Sequence, residues 1–215
     1  MNFLFSTNKR SYPSMTNEEL REAFLTEELF TPGHLSLTYT DVDRAVIGGA
    51  MPTETSIELP THKELAADYF CERRELGIIN IGGEGSVSVD GESFEMAKKD
   101  SLYVTRGSKE VVLSSKEASN PAKYYMISYP AHRVTKTVHV PKTMAKQIDL
   151  GSQETSNERT IFQSIRPGIV DSCQLVMGIT ELKTGSVWNT KPPHTHFRRT
   201  EIYMYFDLDK SERVF

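Results

Sequence analysis

The stretch from Asn189 to Tyr205 reads N-T-K-P-P-H-T-H-F-R-R-T-E-I-Y-M-Y and holds the residues of this chain best suited to chemistry. His194 and His196 stand two apart, and Glu201 follows five further on, ahead of an alternating apolar run from Ile202 to Phe206. In a strand, residues i and i+2 share a face, so both imidazoles enter one cavity. A carboxylate returning to that face after a short bend completes three ligands of mixed nitrogen and oxygen type, a set suited to zinc, iron, manganese or nickel. The competing reading makes the two histidines solvated residues of a proline-bounded loop. Glu201 at the head of a β-type run favours the metal.

Composition narrows what such a site could serve. With 215 residues, 38% of them hydrophobic and 25% charged, the chain is ordinary for a soluble globular protein of one large or two small domains. Its formal charge of −4, from 25 basic against 29 acidic residues, leaves no basic footprint, which argues against a nucleic-acid partner. No run approaches the roughly 20 apolar residues of a spanning helix, and Asn2-Phe3-Leu4-Phe5 is too short for a signal-peptide core, so the expectation is a cytoplasmic protein without a membrane partner. Cys71 and Cys173 fit no C-x-x-C pattern and read as reduced core thiols.

The elements that must position the motif are mostly strands. Residues 1–15 read as an arm. Thr16 and Glu19 form a capping box, and Leu20, Ala23 and Phe24 repeat at helical spacing, so a helix is expected to run to about Glu28 with one face on a core, stopped by Pro32-Gly33. Period two takes over at Leu35, Leu37 and Tyr39 and again at Val46-Ile47. A helical turn is expected within His62 to Ala67, with His62 facing solvent. From residue 69 to 113, strands at Tyr69-Phe70, Leu76 to Ile81, Val87 to Val89, Leu102 to Val104 and Val111 to Leu113 alternate with turns, a sandwich or barrel pattern. The G-G-x-G at 82–85 lies between strands and reads as turn glycines rather than a phosphate loop; Asp90-Gly91 suits a two-residue hairpin. A strand from Tyr124 to Tyr129 is followed by a polar connection in which His132 and His139 read as surface or loop residues. The β pattern resumes at Ile161-Phe162, Gln174 to Leu182 and Ile202 to Phe206.

An internal echo links the halves: Arg73-Arg74-Glu75-Leu76 precedes one strand much as Arg198-Arg199-Thr200-Glu201-Ile202 precedes another. Together with the strand content it predicts a mainly β fold of two related barrels. The domains are then residues 1–130 (arm, helix and a first barrel without metal ligands), 131–160 (linker) and 161–215 (the first part of a second, metal-binding barrel, incomplete here).

The order His-x-His-x4-Glu is similar to the first metal motif of cupin barrels, and longer runs are more specific. R-E-A-F-L-T-E-E-L-F near residue 25, D-R-A-V-I-G-G-A-M-P at 43–52 and E-R-R-E-L-G-I-I-N-I-G-G at 72–83 belong together with N-P-A-K-Y-Y at 120–125, C-Q-L-V-M-G at 173–178 and W-N-T-K-P-P-H-T-H-F-R-R at 188–199. Through them the chain resembles the 5-keto-4-deoxyuronate isomerases, also called 4-deoxy-L-threo-5-hexosulose-uronate ketol-isomerases, which are bicupin enzymes of pectin and uronate breakdown. The resemblance implies a homohexameric, zinc-dependent aldose–ketose isomerase converting 5-dehydro-4-deoxy-D-glucuronate to 3-deoxy-D-glycero-2,5-hexodiulosonate. It places the first three zinc ligands on His194, His196 and Glu201. The family's fourth ligand is a later histidine, and none follows His196, so the expectation is a C-terminally truncated member that binds metal weakly, has little activity and self-associates. Phe197 departs from the family's Glu, and Lys191-Pro192-Pro193 from its Met-Pro-Cys.

Moving a carbonyl to its neighbouring carbon requires loss of an acidic C–H, an enediol and reprotonation, which a divalent metal assists. Arg198 and Arg199 are candidates for the substrate carboxylate, since a guanidinium fork matches it; the alternative pairs one of them with Glu201 or Asp207. No residue is assigned as the general base. Two other functions remain open on the residues: a non-catalytic sugar-acid-binding bicupin remnant, and an iron-dependent cupin oxygenase.

Overall fold

The computed structural model describes every residue except Lys191, Pro193, Lys210 and Phe215. Near its start the capping box forms as the sequence requires: Thr16 Oγ1 accepts from the Glu19 amide at 3.2 Å, and the Glu19 carboxylate accepts from the Thr16 amide at 2.7 Å. The helix α1 nevertheless spans only Asn17–Phe24, with Leu25 already extended, and none of its residues is buried. The expected docking of this helix on a core is therefore corrected. Leu29, beyond the helix, makes the buried contact instead.

Fourteen strands follow one another along the described residues. The first half holds β1 (Asn2–Leu4), β2 (Leu35–Thr40), β3 (Val46–Ala50), β4 (Ile57–Glu58), β5 (Arg74–Asn80), β6 (Gly85–Val89), β7 (Glu92–Met96), β8 (Ser101–Val104) and β9 (Val111–Ser115). The second half holds β10 (Tyr124–Pro130), β11 (Val138–Val140), β12 (Lys146–Leu150), β13 (Arg159–Ile165) and β14 (Met177–Leu182). They build a seven-stranded sheet in the order β1-β2-β3-β10-β5-β8-β11, a four-stranded sheet β4-β9-β6-β7 and a three-stranded sheet β12-β13-β14. No helix among the described residues is long and apolar enough to cross a membrane.

The seven-stranded sheet is apolar on both faces, which is why β5 is buried at all seven of its positions. Leu76 and Ile78 of β5, with Tyr124 and Met126 of β10, point into a first core shared with Val87, Leu113 and Met96 of the four-stranded sheet. The alternate residues Ile79, Tyr125, Ile127 and Tyr103 point the other way, into a second core with Ile165, Met177 and Ile179 of the three-stranded sheet. Gly77 sits on that second face because a side chain would not fit: a Cβ there would lie 2.6 Å from Leu175 Cδ2 and 2.9 Å from Met177 Sδ.

Several local expectations change in the structure. Tyr69-Phe70 is no strand; Phe70–Glu72 forms a 3-10 turn that tucks Phe70 and Cys71 into the first core. The helical turn expected within His62 to Ala67 is likewise 3-10, at Lys63–Leu65. The connection 131–160 carries two strands, and His139 lies half-buried on β11, with Nε2 3.4 Å from an Asp100 oxygen, rather than in a surface loop. Asp90 and Gly91 both adopt positive φ, at 50° and 86°, as a two-residue hairpin demands. Gly83 and Gly85 do not; they are glycines because a Cβ would lie 2.0 Å from the Asn120 carbonyl oxygen and 2.2 Å from that of Ser114. Cys71 and Cys173 are both free thiols, Cys71 buried and Cys173 partly exposed, so only the first is a core residue.

Candidate metal centre

Residues 202–206 keep the two-residue alternation expected of a strand, but they pair with no neighbour among the described residues. Ile202, Met204 and Phe206 lie against the second core, while Tyr203 and Tyr205 face outward with their rings stacked at 6.2 Å. Side-chain packing thus takes the place of a strand ladder in holding the segment extended. Two side-chain contacts tether it to the first half: Thr200 Oγ1 donates to the Asp43 carboxylate, and Lys98 Nζ pairs with Asp207 at 2.9 Å.

At its head the candidate ligands gather in part. His194 Nδ1 lies 3.0 Å from the Pro192 carbonyl oxygen, an acceptor, so Nδ1 carries the proton and Nε2 keeps its lone pair. Metal-bound histidines are oriented by contacts of this kind. The His194 and His196 ring centroids are 4.8 Å apart. His196 Nε2 stands 3.3 Å from Glu201 Oε1; two donors bonded to one tetrahedral ion at about 2.1 Å are about 3.4 Å apart, so this pair is at coordination spacing. The donor chemistry of the three residues fits a zinc-type ion and His196 with Glu201 has the spacing for one, although among the described residues no three His, Cys, Asp or Glu side chains close on a single point. Lys191 and Pro193, where the chain departs from the family's pattern, lie outside the described residues.

Arg199 and Tyr203 complete the group. Arg199 donates from Nε at 3.1 Å and from Nη2 at 2.7 Å to Glu201 Oε1, and its Nη2 lies 3.1 Å from His196 Nε2. The Tyr203 hydroxyl donates to Glu201 Oε2 at 2.9 Å. Partial burial disfavours ionisation of Glu201, but the hydrogen bonds from Arg199 and Tyr203 outweigh it and hold the carboxyl below the usual carboxylate range. Burial and the same bond push the Tyr203 phenol upward. Of the two sequence candidates for a carboxylate clamp, Arg199 is engaged with Glu201 and Arg198 is exposed. In the sequence Tyr203 counts only as part of the apolar run; its i+2 spacing from Glu201 on one strand face is the signal that could have found it.

Glu201 and Arg199 also border a cavity of about 780 Å³ between the back of the seven-stranded sheet and the three-stranded sheet. Its walls mix apolar side chains, Ile79 and Ile127 of the seven-stranded sheet, Met177 of the three-stranded sheet and Ile202, Met204 and Phe206 of the extended segment, with polar ones such as Gln163 and Glu181. Lys99 at its edge shares Glu181 with Lys142, each ammonium 2.7 Å from the same carboxylate oxygen. The buried Tyr125 hydroxyl has no hydrogen-bond partner among the described residues.

The fold is of the mainly β class and brings His196 within 3.3 Å of Glu201, which borders the cavity. The profile of the KduI/IolB family matches residues 25–215, and the chain belongs to that family. It is 49% identical over 210 residues to a 4-deoxy-L-threo-5-hexosulose-uronate ketol-isomerase of Formosa agariphila, covering 98% of this chain and 75% of the relative. The ketol-isomerase of Lachnoclostridium phytofermentans is 47% identical over 200 residues, 93% of this chain and 72% of that one. One from Enterococcus faecalis is 45% identical over all 215 residues and 78% of its own length.

Proposed function

We propose that this chain is a ketol-isomerase of uronate catabolism, interconverting 5-dehydro-4-deoxy-D-glucuronate and 3-deoxy-D-glycero-2,5-hexodiulosonate. The observation that carries this reading is identity of 45–49% along nearly the whole chain to relatives named for one reaction. In that reaction a proton leaves the carbinol carbon beside an aldehyde and one returns to the aldehyde carbon, so the carbonyl moves by one position with no net oxidation.

His194, His196 and Glu201 are the residues that would hold a divalent ion, zinc by resemblance. Bound there, the ion would supply electrophilic polarisation of the substrate carbonyl and its neighbouring hydroxyl. The chain's own residues prepare this chemistry. The Pro192 carbonyl orients the His194 ring and Tyr203 holds the second oxygen of Glu201, beside the cavity that Glu201 borders. Arg198 and Arg199 are the guanidinium groups within reach of a substrate carboxylate. The two-faced sheet supports a bicupin arrangement with a first, non-metal unit over residues 1–130 and a second, ligand-bearing unit from 161 onward. A homohexameric, cytoplasmic enzyme completes the reading.

The test is turnover of the keto-acid released from unsaturated pectin-derived uronate, followed with added zinc and after chelation, in the native chain and in His196→Ala. Zinc-dependent turnover lost in the variant is the expected result. Turnover that persists equally after chelation and in His196→Ala would remove the metal assignment, and no turnover with zinc would remove the isomerase assignment.

A further inference from the structure

Arg199 stands in an unusual place for a substrate clamp. Its Nη2 lies 3.1 Å from His196 Nε2 and 2.7 Å from Glu201 Oε1, between the two atoms that a metal would join. A guanidinium nitrogen has hydrogens to give and no lone pair to offer, so the His196 contact requires Nε2 to accept. With the guanidinium donating, Nε2 is the accepting nitrogen and the ring proton is on Nδ1. The Nε2 to Glu201 distance of 3.3 Å would otherwise suit an ion pair with a protonated imidazole; with Arg199 as the donor to both, it is a spacing between two acceptors held by one cation.

An imidazole nitrogen has one lone pair, so Arg199 and a metal ion cannot use His196 Nε2 together. Resting on the metal reading above, we propose that Arg199 is the resident cation of the site, holding His196 and Glu201 at coordination spacing and exchanging with the incoming ion. Uptake of the metal expels the guanidinium, and the freed fork is then available to the substrate carboxylate. The arrangement links the two binding events in order: the arginine that recognises the anionic substrate becomes free when the ion that acts on it has arrived. Arg198, one residue away, carries the same charge but makes no contact with either ligand among the described residues, so it serves as the control for charge alone.

Zinc affinity is measured by competition with a chromophoric chelator for the native chain, Arg199→Gln, Arg198→Gln and His196→Ala, and dicarbonyl modification of Arg199 is mapped by peptide mass spectrometry with and without zinc. Losing a charge-assisted hydrogen-bonded competitor is expected to tighten zinc binding about three- to thirty-fold in Arg199→Gln, with a smaller change in Arg198→Gln. Zinc is expected to raise the reactivity of Arg199 toward the dicarbonyl in the native chain. Equal zinc affinity in the native chain and Arg199→Gln, or equal tightening in both arginine variants, would overturn the exchange while leaving the metal site standing. Zinc binding that His196→Ala leaves unchanged would overturn the metal site and the exchange with it.

Discussion

Glu75 is fully buried, yet it forms no salt bridge among the described residues: its carboxylate accepts from the Tyr103 hydroxyl at 2.9 Å and from the backbone amides of Cys173, Gln174 and Leu175 at 2.7, 2.8 and 2.8 Å. The three consecutive amides belong to the loop leading into β14, so one side chain of β5 fastens the three-stranded sheet to the first half. In Glu75→Ala these donors lose their acceptor in a site that is buried at Tyr103 and Leu175 and part-buried at Cys173 and Gln174. Hydrogen bonds to a charged group contribute about 1.5–3 kcal/mol each, but they act as a unit and a water entering the new hole recovers part of the loss. The expected net destabilisation is about 4 kcal/mol, near the cost of breaking a buried ion pair. For a chain of this size that lowers Tm by roughly 8–16 °C. Glu75→Gln is gentler, about 2 kcal/mol, because the amide keeps one oxygen for Gln174 and Leu175 and the Tyr103 hydroxyl can turn to accept, leaving one amide facing a donor. Urea titration gives the energies, and hydrogen exchange gives the location. Amides 173–175 should exchange much faster in the alanine variant while β10 stays protected. An alanine variant within about 1 kcal/mol of the native chain, or acceleration spread evenly over the sheets, would refute the reasoning.

Three further outcomes follow from other residues. Alkylation of the native protein at pH 8 should label Cys173 well before Cys71, because burial pushes the Cys71 thiol up to about 12 and shields it; mass spectrometry of the two peptides decides the order. Burial disfavours the charged form of Glu181, but hydrogen bonds from Lys142 and Lys99 overcome it and depress its carboxyl, so its contribution is present above the unfolded-state value and lost as pH falls through the lower folded value. Glu181→Gln should therefore flatten the acid limb of a stability profile below about pH 4.5 and leave the neutral-to-alkaline limb alone; an unchanged acid limb would count against the Lys99–Glu181–Lys142 contact. Gly91→Ala, at φ 86° with open space around it, should cost about 1 kcal/mol, whereas Gly83→Ala drives a Cβ to 2.0 Å from a backbone oxygen and should cost about 3 kcal/mol; equal Tm shifts for the two would contradict the packing account.

The sequence was most legible where local physics acts alone. The Thr16 capping box, the Asp90-Gly91 hairpin and the period-two strand β2 depend on neighbours within a few positions, and all three formed. Where a distant partner decides, the pattern was ambiguous. Helical spacing at Leu20, Ala23 and Phe24 promised a buried face, but the short strand β1 is too small a partner to bury it, and Phe24 stays 57% exposed. The glycines at 82–85 looked like turn residues because the carbonyls of Asn120 and Ser114 that forbid a side chain are distant in sequence. Glu75 carried no local mark at all, since its partners are about a hundred residues away. In the candidate metal centre the ligand types were readable, as was the spacing that could have found Tyr203. The position of Arg199 between two ligands depends on its rotamer and on the bend ahead of Ile202, which spacing does not encode.

The two apolar faces of one sheet explain how a metal motif at one end of the chain depends on residues near the other. Each inward residue of β5 has a neighbour that points outward, so the strand that fills the first core with Leu76 and Ile78 also offers Glu75, Gly77 and Ile79 to the second. Glu75 fixes the loop before β14, and Gly77 lets Leu175 and Met177 approach the backbone closely. Those side chains, with Ile179, form the surface against which Ile202, Met204 and Phe206 lie. That packing in turn directs Glu201 and Tyr203 to the opposite side, where the carboxylate meets His196 and Arg199. The register of the unpaired segment is thus set by burial through period two: a shift by one residue would turn Glu201 toward Ile79 and Ile127, where an ionised carboxylate has no partner, and would bring two tyrosines against the core. The candidate ligand Glu201 can therefore be held in place by a segment that makes no ladder hydrogen bonds among the described residues, provided the apolar face on its other side is complete.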